Sequence, residues 1–229
     1  MNWLPALSWV PSPNVSQRSA DVDLVVIHDC EGDFDASVEW FGEKRSQVSA
    51  HFVIRQDGAK IDQCVRVSDK AWHACAFNSR SIGIEMAGYA RNGYSDALLT
   101  TAARLTAYLC KTYGIPIRHA VGGVGQGIES HFGLGVAGGG HSDPSTSPAW
   151  MPAFIARVQA EFDAGRTPPP GSYLAGAADP LPAKPAPPDL TTIEGVLDAL
   201  DNLGFANPIR AFQSKYGLDV STSTGMLAR

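Results

Sequence analysis

At 229 residues, 44 % of them hydrophobic, the chain has enough apolar content for one sizeable core and a minor second unit. Its formal charge of −5 divides into 13 basic and 17 acidic residues up to position 165 and 5 basic and 6 acidic beyond it, so neither part has the basic footprint of a nucleic-acid binder. No apolar stretch approaches the roughly 20 residues that span a bilayer, and no basic region precedes the short apolar patch at residues 3–7, so a soluble, unprocessed chain without membrane insertion is expected.

Asp23-Leu-Val-Val-Ile-His28 is short, β-branched and bounded by polar residues, which predicts a buried strand ending in a histidine. Residues 34–45 read as a short helix. His51-Phe-Val-Ile-Arg55, the turn Asp57-Gly58 and Lys60-Ile-Asp-Gln-Cys-Val-Arg66 make a strand, turn, strand hairpin, and residues 81–88 are the next strand. From Ser95, a good N-cap, apolar residues recur at helical spacing through Leu98, Ala102, Leu105 and Leu109 until Gly114 and Pro116 stop the helix. Residues 118–149 hold nine glycines and little helix or strand signal, which predicts a loop whose backbone approaches a ligand closely. A last helix is expected at 152–164.

Beyond Arg166 the composition changes to Pro, Ala and Gly. The expected organisation is therefore a catalytic domain at 1–165, an extended linker at 166–188 and a small helical unit at 189–229 whose Leu197, Leu200, Leu203, Phe205, Ile209, Phe212 and Leu218 can form a tiny core. The four cysteines, Cys30, Cys64, Cys75 and Cys110, form no Cys-x-x-Cys pair. A domain of this size folds without disulfides, so buried thiols are favoured over a bridge such as Cys64 with Cys75.

Three side chains have the chemistry of a catalytic metal site. His28 closes an apolar run, while His131 and Asp143 lie within the glycine-rich stretch; two imidazoles and one carboxylate with no fourth protein ligand leave a position open for water. Glu85 is the only acid in Ser81-Ile-Gly-Ile-Glu-Met-Ala-Gly88, a candidate proton acceptor held by a strand. Each has a plainer reading: a histidine at a strand end is often structural, Asp143-Pro144 is also a turn former, and Glu85 could pair with an arginine. His141 is the rival third ligand.

Val26-Ile-His28, Val48-Ser-Ala-His-Phe-Val-Ile54, Ala71-Trp-His-Ala74, Asn78-Ser-Arg-Ser-Ile-Gly-Ile-Glu85 and His141-Ser-Asp-Pro144 resemble, in order and spacing, the motifs of the zinc-dependent N-acetylmuramoyl-L-alanine amidases of type 2, a family of bacterial amidases, phage endolysins and peptidoglycan recognition proteins. The resemblance covers roughly residues 21–160. It implies an α/β fold, a mixed central sheet flanked by helices, and hydrolysis of the amide between the lactyl group of N-acetylmuramic acid and L-alanine of the stem peptide. It also implies Zn2+ on His28, His131 and Asp143, with Glu85 as the catalytic acid–base. Where many relatives have an oxyanion-stabilising Lys this chain has His141, whose donor role would depend on protonation; Ala50 replaces a Tyr that is catalytic in some phage relatives.

Around that centre, Trp72 and His73 either line the substrate groove or form a satisfied core pair, and Asn78 and Arg80 are candidates for a stem-peptide carboxylate. His51 is read as structural and His119 as a loop residue. Asn207-Pro-Ile-Arg-Ala-Phe-Gln213 with Tyr216-Gly-Leu-Asp-Val220 resembles part of a three-helix peptidoglycan-binding unit, although Ser221-Thr222 replaces its usual Asp-Gly. Peptidoglycan is the expected partner, the protein is expected to be a monomer, and release from a phage-infected host cytoplasm is the expected setting. The alternatives are a peptidoglycan recognition module without catalysis, a wall-recycling amidase, and a peptidase acting within the stem peptide.

Overall fold

The computed structural model describes residues 3–5 and 7–165, and the expected linker and C-terminal unit lie outside the described residues. Eight strands and three helices follow in chain order: β1 (Leu7–Trp9), β2 (Val15–Gln17), β3 (Leu24–Asp29), α1 (Phe34–Gly42), β4 (Phe52–Ile54), β5 (Ile61–Gln63), β6 (Asp69–Ala71), β7 (Ser81–Met86), α2 (Asp96–Tyr113), β8 (Gly127–Ser130) and α3 (Trp150–Asp163). Six of the strands form one sheet in the order β1-β5-β4-β7-β3-β8, parallel except between β4 and β5, and β2 pairs with β6 in a small antiparallel ribbon. This is the expected mixed α/β architecture. No helix among the described residues is long and apolar enough to cross a membrane.

Side-chain alternation along the central strands separates two faces. Val25 and Ile27 of β3, Phe52 and Ile54 of β4, Ile82, Ile84 and Met86 of β7 and Ile128 of β8 form the main core, with Leu98, Leu105 and Leu109 of α2 and Phe154 and Val158 of α3. The opposite face mixes apolar and polar groups: Leu24 and Val26 cluster with Ala74, Ala120 and Leu134, and Val53 packs under Phe34 and Phe41 of α1. All six residues of β3 and of β7 are buried, so the polar residues on this second face lie beneath helix and loop at low exposure.

The long helix follows its sequence signals. Ser95 caps α2 by accepting from Leu98 N–H at 3.1 Å while its hydroxyl donates to Gln56 O at 2.9 Å, and Gly114 ends it in the left-handed region at φ 67°. The last helix begins at Trp150, two residues earlier than expected. Pro152 sits in its first turn, where the missing N–H has no intrahelical acceptor to leave unpaired.

The reading of residues 118–149 as loop throughout is corrected by β8. Only Ile128 of its four residues faces the main core, too little for an apolar period, and the strand exists because its backbone pairs with β3 from Leu24↔Gly127 to Ile27↔Ser130. β1, β2 and β6 carry three residues each and were missed for the same reason: their ladder partners are remote in sequence. The four cysteines form no disulfide, and burial pushes the Cys64 and Cys110 thiols up to about 12.

Gly58, in the β4–β5 turn, docks the hairpin on the start of α2. Its φ is +68°, a Cβ there would lie 2.4 Å from Ala97 O, and its own carbonyl accepts from Thr101 Oγ1 at 2.8 Å. Gly58→Ala therefore combines left-handed strain with a backbone clash. It is expected to lower the unfolding free energy by about 2–4 kcal/mol, read as a lower urea midpoint at unchanged slope.

Candidate metal centre

Three neighbouring parallel strands bring the chemistry together. The register pairs His28 of β3 with Glu85 of β7, and both lie on the face away from α2 and α3. On the other side of β3, His131 follows β8 directly and its N–H donates to Ile27 O at 3.0 Å, continuing the ladder opposite His28. Asp143 arrives from outside the sheet. Its carbonyl accepts from Phe132 N–H at 2.7 Å and its carboxylate Oδ2 from Asp29 N–H at 3.2 Å.

His28, His131 and Asp143 are all buried, and each offers a donor atom within 4.8 Å of the others. His131 Nε2 lies 2.8 Å from the carbonyl of Gly138, which can only accept, so that nitrogen carries the proton and Nδ1 turns its lone pair toward Asp143 Oδ1 at 3.0 Å. His28 Nδ1 stands 3.5 Å from Asp143 Oδ2 and 4.0 Å from Glu85 Oε1. Lone pairs and a carboxylate converging on a buried sheet face repel one another unless a cation is shared among them. The donor set, two nitrogens and one carboxylate oxygen, fits a divalent transition metal.

Burial governs the protonation of these groups. It pushes His28 down to about 4, with His131 adding to the effect, and holds His73 and His51 well below the usual histidine range, helped by His28 and Arg18 respectively. Burial raises Asp143, and only N–H donation or positive charge on the side of His131 and then His28 holds the carboxyl well below the usual range, a part that a shared cation fills when those nitrogens present lone pairs. Glu85 is pushed well above it, first by burial and then by the charges of Asp143, Asp29 and Glu31. Its Oε2 is buried and has no hydrogen-bond partner. Such a carboxyl is poised to take and return a proton.

A cleft of about 230 Å³ opens over these residues, lined among others by Trp40, Phe41, Trp72, His73 and His141. His141 is at its mouth, 56 % exposed at the side chain and stacked on His131 with ring centroids 4.2 Å apart. It stands outside the donor group: its Nδ1 is 3.8 Å from Asp143 Oδ1. Trp72, half-buried, lines the cleft while its indole N–H donates to Ser16 Oγ at 3.0 Å.

Asn78 and Arg80 are placed differently from the expectation. Asn78 Oδ1 accepts from the backbone N–H groups of His73 and Ala74 at 3.0 and 2.6 Å. The Arg80 guanidinium is bound to Asp23 at 2.6 Å and to Gly123 O at 2.9 Å, and neither residue lines the cleft. They shape the turn and loop around the site instead of facing a substrate carboxylate. His51 is structural as expected, buried against Arg18, and His119 is anchored on the buried carboxylate of Glu129 at 3.0 Å.

Sequence reasoning missed Trp40, Asp29 and Tyr94. Trp40 is exposed on α1 and no periodicity distinguished it from a surface residue. The Tyr94 hydroxyl donates to the Asp29 carboxylate and lies 2.9 Å from Pro144 O, bracing the segment that carries Asp143. Asp29 follows His28 at the strand end, the one local signal that existed.

The family model for N-acetylmuramoyl-L-alanine amidases matches residues 18–146, which contain the whole constellation. The chain belongs to this family. It is 38 % identical over 125 residues to N-acetylmuramoyl-L-alanine amidase A of Achromobacter lyticus, spanning 54 % of this chain and 68 % of that protein. It is 32 % identical over 139 residues to the 1,6-anhydro-N-acetylmuramyl-L-alanine amidase AmpD of Citrobacter freundii, spanning 48 % of this chain and 74 % of that one. Staphylococcus aureus AmiA shares the fold at TM-score 0.58 and 13 % identity over 72 % of this chain and 88 % of its own, and a mutant endolysin from Bacillus subtilis at 0.55 and 17 % over 68 % and 99 %. The protein is thus an enzyme, an amidase acting on peptidoglycan.

The pKa directions fix how stability of the metal-free amidase depends on pH. His28, His51 and His73 have folded values below their unfolded ones, so their contribution is full above about pH 6.5 and is lost as pH falls toward the folded values, about 4 for His28. Glu85, raised on folding, acts with the opposite sign: its contribution is full below its unfolded value and is lost as pH rises through the folded one. In Glu85→Gln, which removes the opposing carboxyl, the urea midpoint of the chelator-treated protein is therefore expected to fall between about pH 6.5 and 4.

Proposed function

We propose that this amidase is a zinc enzyme in which His28, His131 and Asp143 hold the metal, Glu85 moves the proton, and the bond cut joins N-acetylmuramic acid to L-alanine. One observation carries the reading: three buried donor atoms within 4.8 Å of one another, beside a buried carboxyl whose Oε2 has no partner. Bound there, zinc supplies Lewis acidity, bringing the pKa of water toward about 7 and polarising the scissile carbonyl. Glu85 Oε2 accepts the proton of the attacking water and later delivers it to the departing alanine nitrogen, so no net proton is lost. His141, exposed at the cleft mouth, presents an N–H to the oxygen on which negative charge develops, the position of the lysine it replaces. Trp40 and Trp72 flank the cleft with flat apolar surface suited to a sugar ring or lactyl-peptide segment.

The role assignments separate by measurement. Asp143→Ala is expected to lose stoichiometric zinc, whereas Glu85→Gln retains it while turnover falls by about 10²–10⁴-fold, checked by metal analysis and steady-state rates on the same preparations. Equal zinc content in both, with Asp143→Ala active, overturns the assignment.

The biological setting we propose is host lysis by a phage endolysin. Supporting it are the Pro/Ala-rich composition at 166–188, the resemblance of 207–220 to a wall-binding unit, and the fold shared with the Bacillus subtilis endolysin. Identity to AmpD, whose name specifies the 1,6-anhydro form, favours wall recycling as the second reading. Mass spectrometry of two digests distinguishes them. Release of peptides with new L-alanine amino termini from intact sacculi, glycan strands uncut, supports the endolysin; cleavage confined to soluble anhydro-muropeptide supports recycling.

A further inference from the structure

Behind His28, away from the donor cluster, a chain of hydrogen bonds ends on a backbone carbonyl. His28 Nε2 is 2.9 Å from His73 Nδ1, His73 Nε2 is 3.1 Å from Ser81 Oγ, and Ser81 Oγ is 2.7 Å from Phe77 O. Only the last member has a fixed role, because a carbonyl can only accept. The Ser81 hydroxyl therefore donates to Phe77, its oxygen accepts from His73 Nε2–H, His73 Nδ1 is left as an acceptor, and the proton between the two imidazoles belongs to His28 Nε2. The reverse order would set the Ser81 and Phe77 oxygens facing each other at 2.7 Å with no proton between them.

We infer that His73 is a positioning residue that fixes His28 in the tautomer whose Nδ1 lone pair faces Asp143 and His131. Two further features show that the relay is built into the fold. Gly83 on β7 has no side chain because the His73 ring occupies that space: a Cβ there would lie 2.7 Å from His73 Nδ1 and 2.8 Å from its Cγ. The backbone of His73 is pinned in turn by Asn78 Oδ1, so the residue first read as a substrate contact holds the imidazole that orients the ligand. A ligating histidine whose other N–H is held by a partner binds its metal more tightly, and losing such a partner costs roughly 10–100-fold in affinity.

The inference rests on the zinc reading of this site, and its test has a readout independent of metal. ¹⁵N shifts of the histidine rings in the metal-free full chain are expected to show His28 protonated at Nε2 and His73 at Nε2. In His73→Ala, His28 is expected to populate both tautomers, and the zinc dissociation constant from chelator competition to rise about 10–100-fold. Ser81→Ala keeps the imidazole and its packing, and guards against a folding defect in His73→Ala. It is expected to weaken zinc several-fold in a metal-free protein that still unfolds in one cooperative transition, at a midpoint lowered only by the lost hydrogen bonds, which a purely space-filling His73 would not do. A proton on Nδ1 of His28 in the wild type, or wild-type zinc affinity in both variants, overturns the relay. Nε2 protonation in a wild type that binds no zinc leaves the relay standing and overturns the metal reading instead.

Discussion

The register of three adjacent parallel strands is the constraint from which the site follows. Because β7, β3 and β8 run the same way, residues at one height on one face stand side by side, and Glu85, His28 and His131 occupy one such row. A slip of one residue in β3 or β7 would turn His28 or Glu85 into the core formed with α2 and α3 and could bring Ile27 or Ile84 to the site face in its place. The apolar residues flanking the row, Ile84 and Met86 beside Glu85 and Ile27 beside His28, thus specify the active-site geometry through packing on the opposite face. Precision comes from strand pairing, where backbone hydrogen bonds fix each Cα.

That row places titratable groups where water is scarce, and their charges resolve the conflict in a definite way. Burial drives the imidazoles of His28, His51 and His73 to the neutral form, which keeps lone pairs available, while Asp143 stays ionised and Glu85 is pushed toward its protonated form. Burial is the larger reason that Glu85 gives way, and repulsion from Asp143, Asp29 and Glu31 adds to it. A divalent cation among the donors reverses the sign of that field at Glu85. A carboxyl held between those two fields can exchange a proton in either direction, the property on which the proposed role of Glu85 draws.

The long strands, the capped helix α2, the hairpin and the α/β class were legible because each element carries its own period and end signals. So was the meeting of His28, His131, Asp143 and Glu85 in space, through motif order. What could not be read was direction. Arg80 has a fork suited to a carboxylate, and only the approach of Gly123 from a distant loop shows that the fork is taken by Asp23 and backbone carbonyls. Trp40 and Tyr94 reach the site by the docking of α1 and of the segment before α2, events with no sequence period. β8 was hidden because its stability lies in the neighbour it pairs with, so its four residues look like the loop around them.

The glycine-rich stretch illustrates how a correct physical expectation met a different object. Close backbone approach was anticipated, and it occurs, but toward a buried carboxylate of the protein itself. Glu129 accepts from Gly122 N–H at 2.9 Å, Ser130 N–H at 2.7 Å and His119 Nε2, and a Cβ on Gly133 would lie 2.2 Å from its Oε1. Gly138 then presents the carbonyl that sets the tautomer of His131. Glu129 precedes His131 by two residues and faces the same side of the sheet, so wrapping the loop around one carboxylate immobilises the next polar group along the strand. The ordering of that imidazole is completed during folding, and binding a metal there need not supply it.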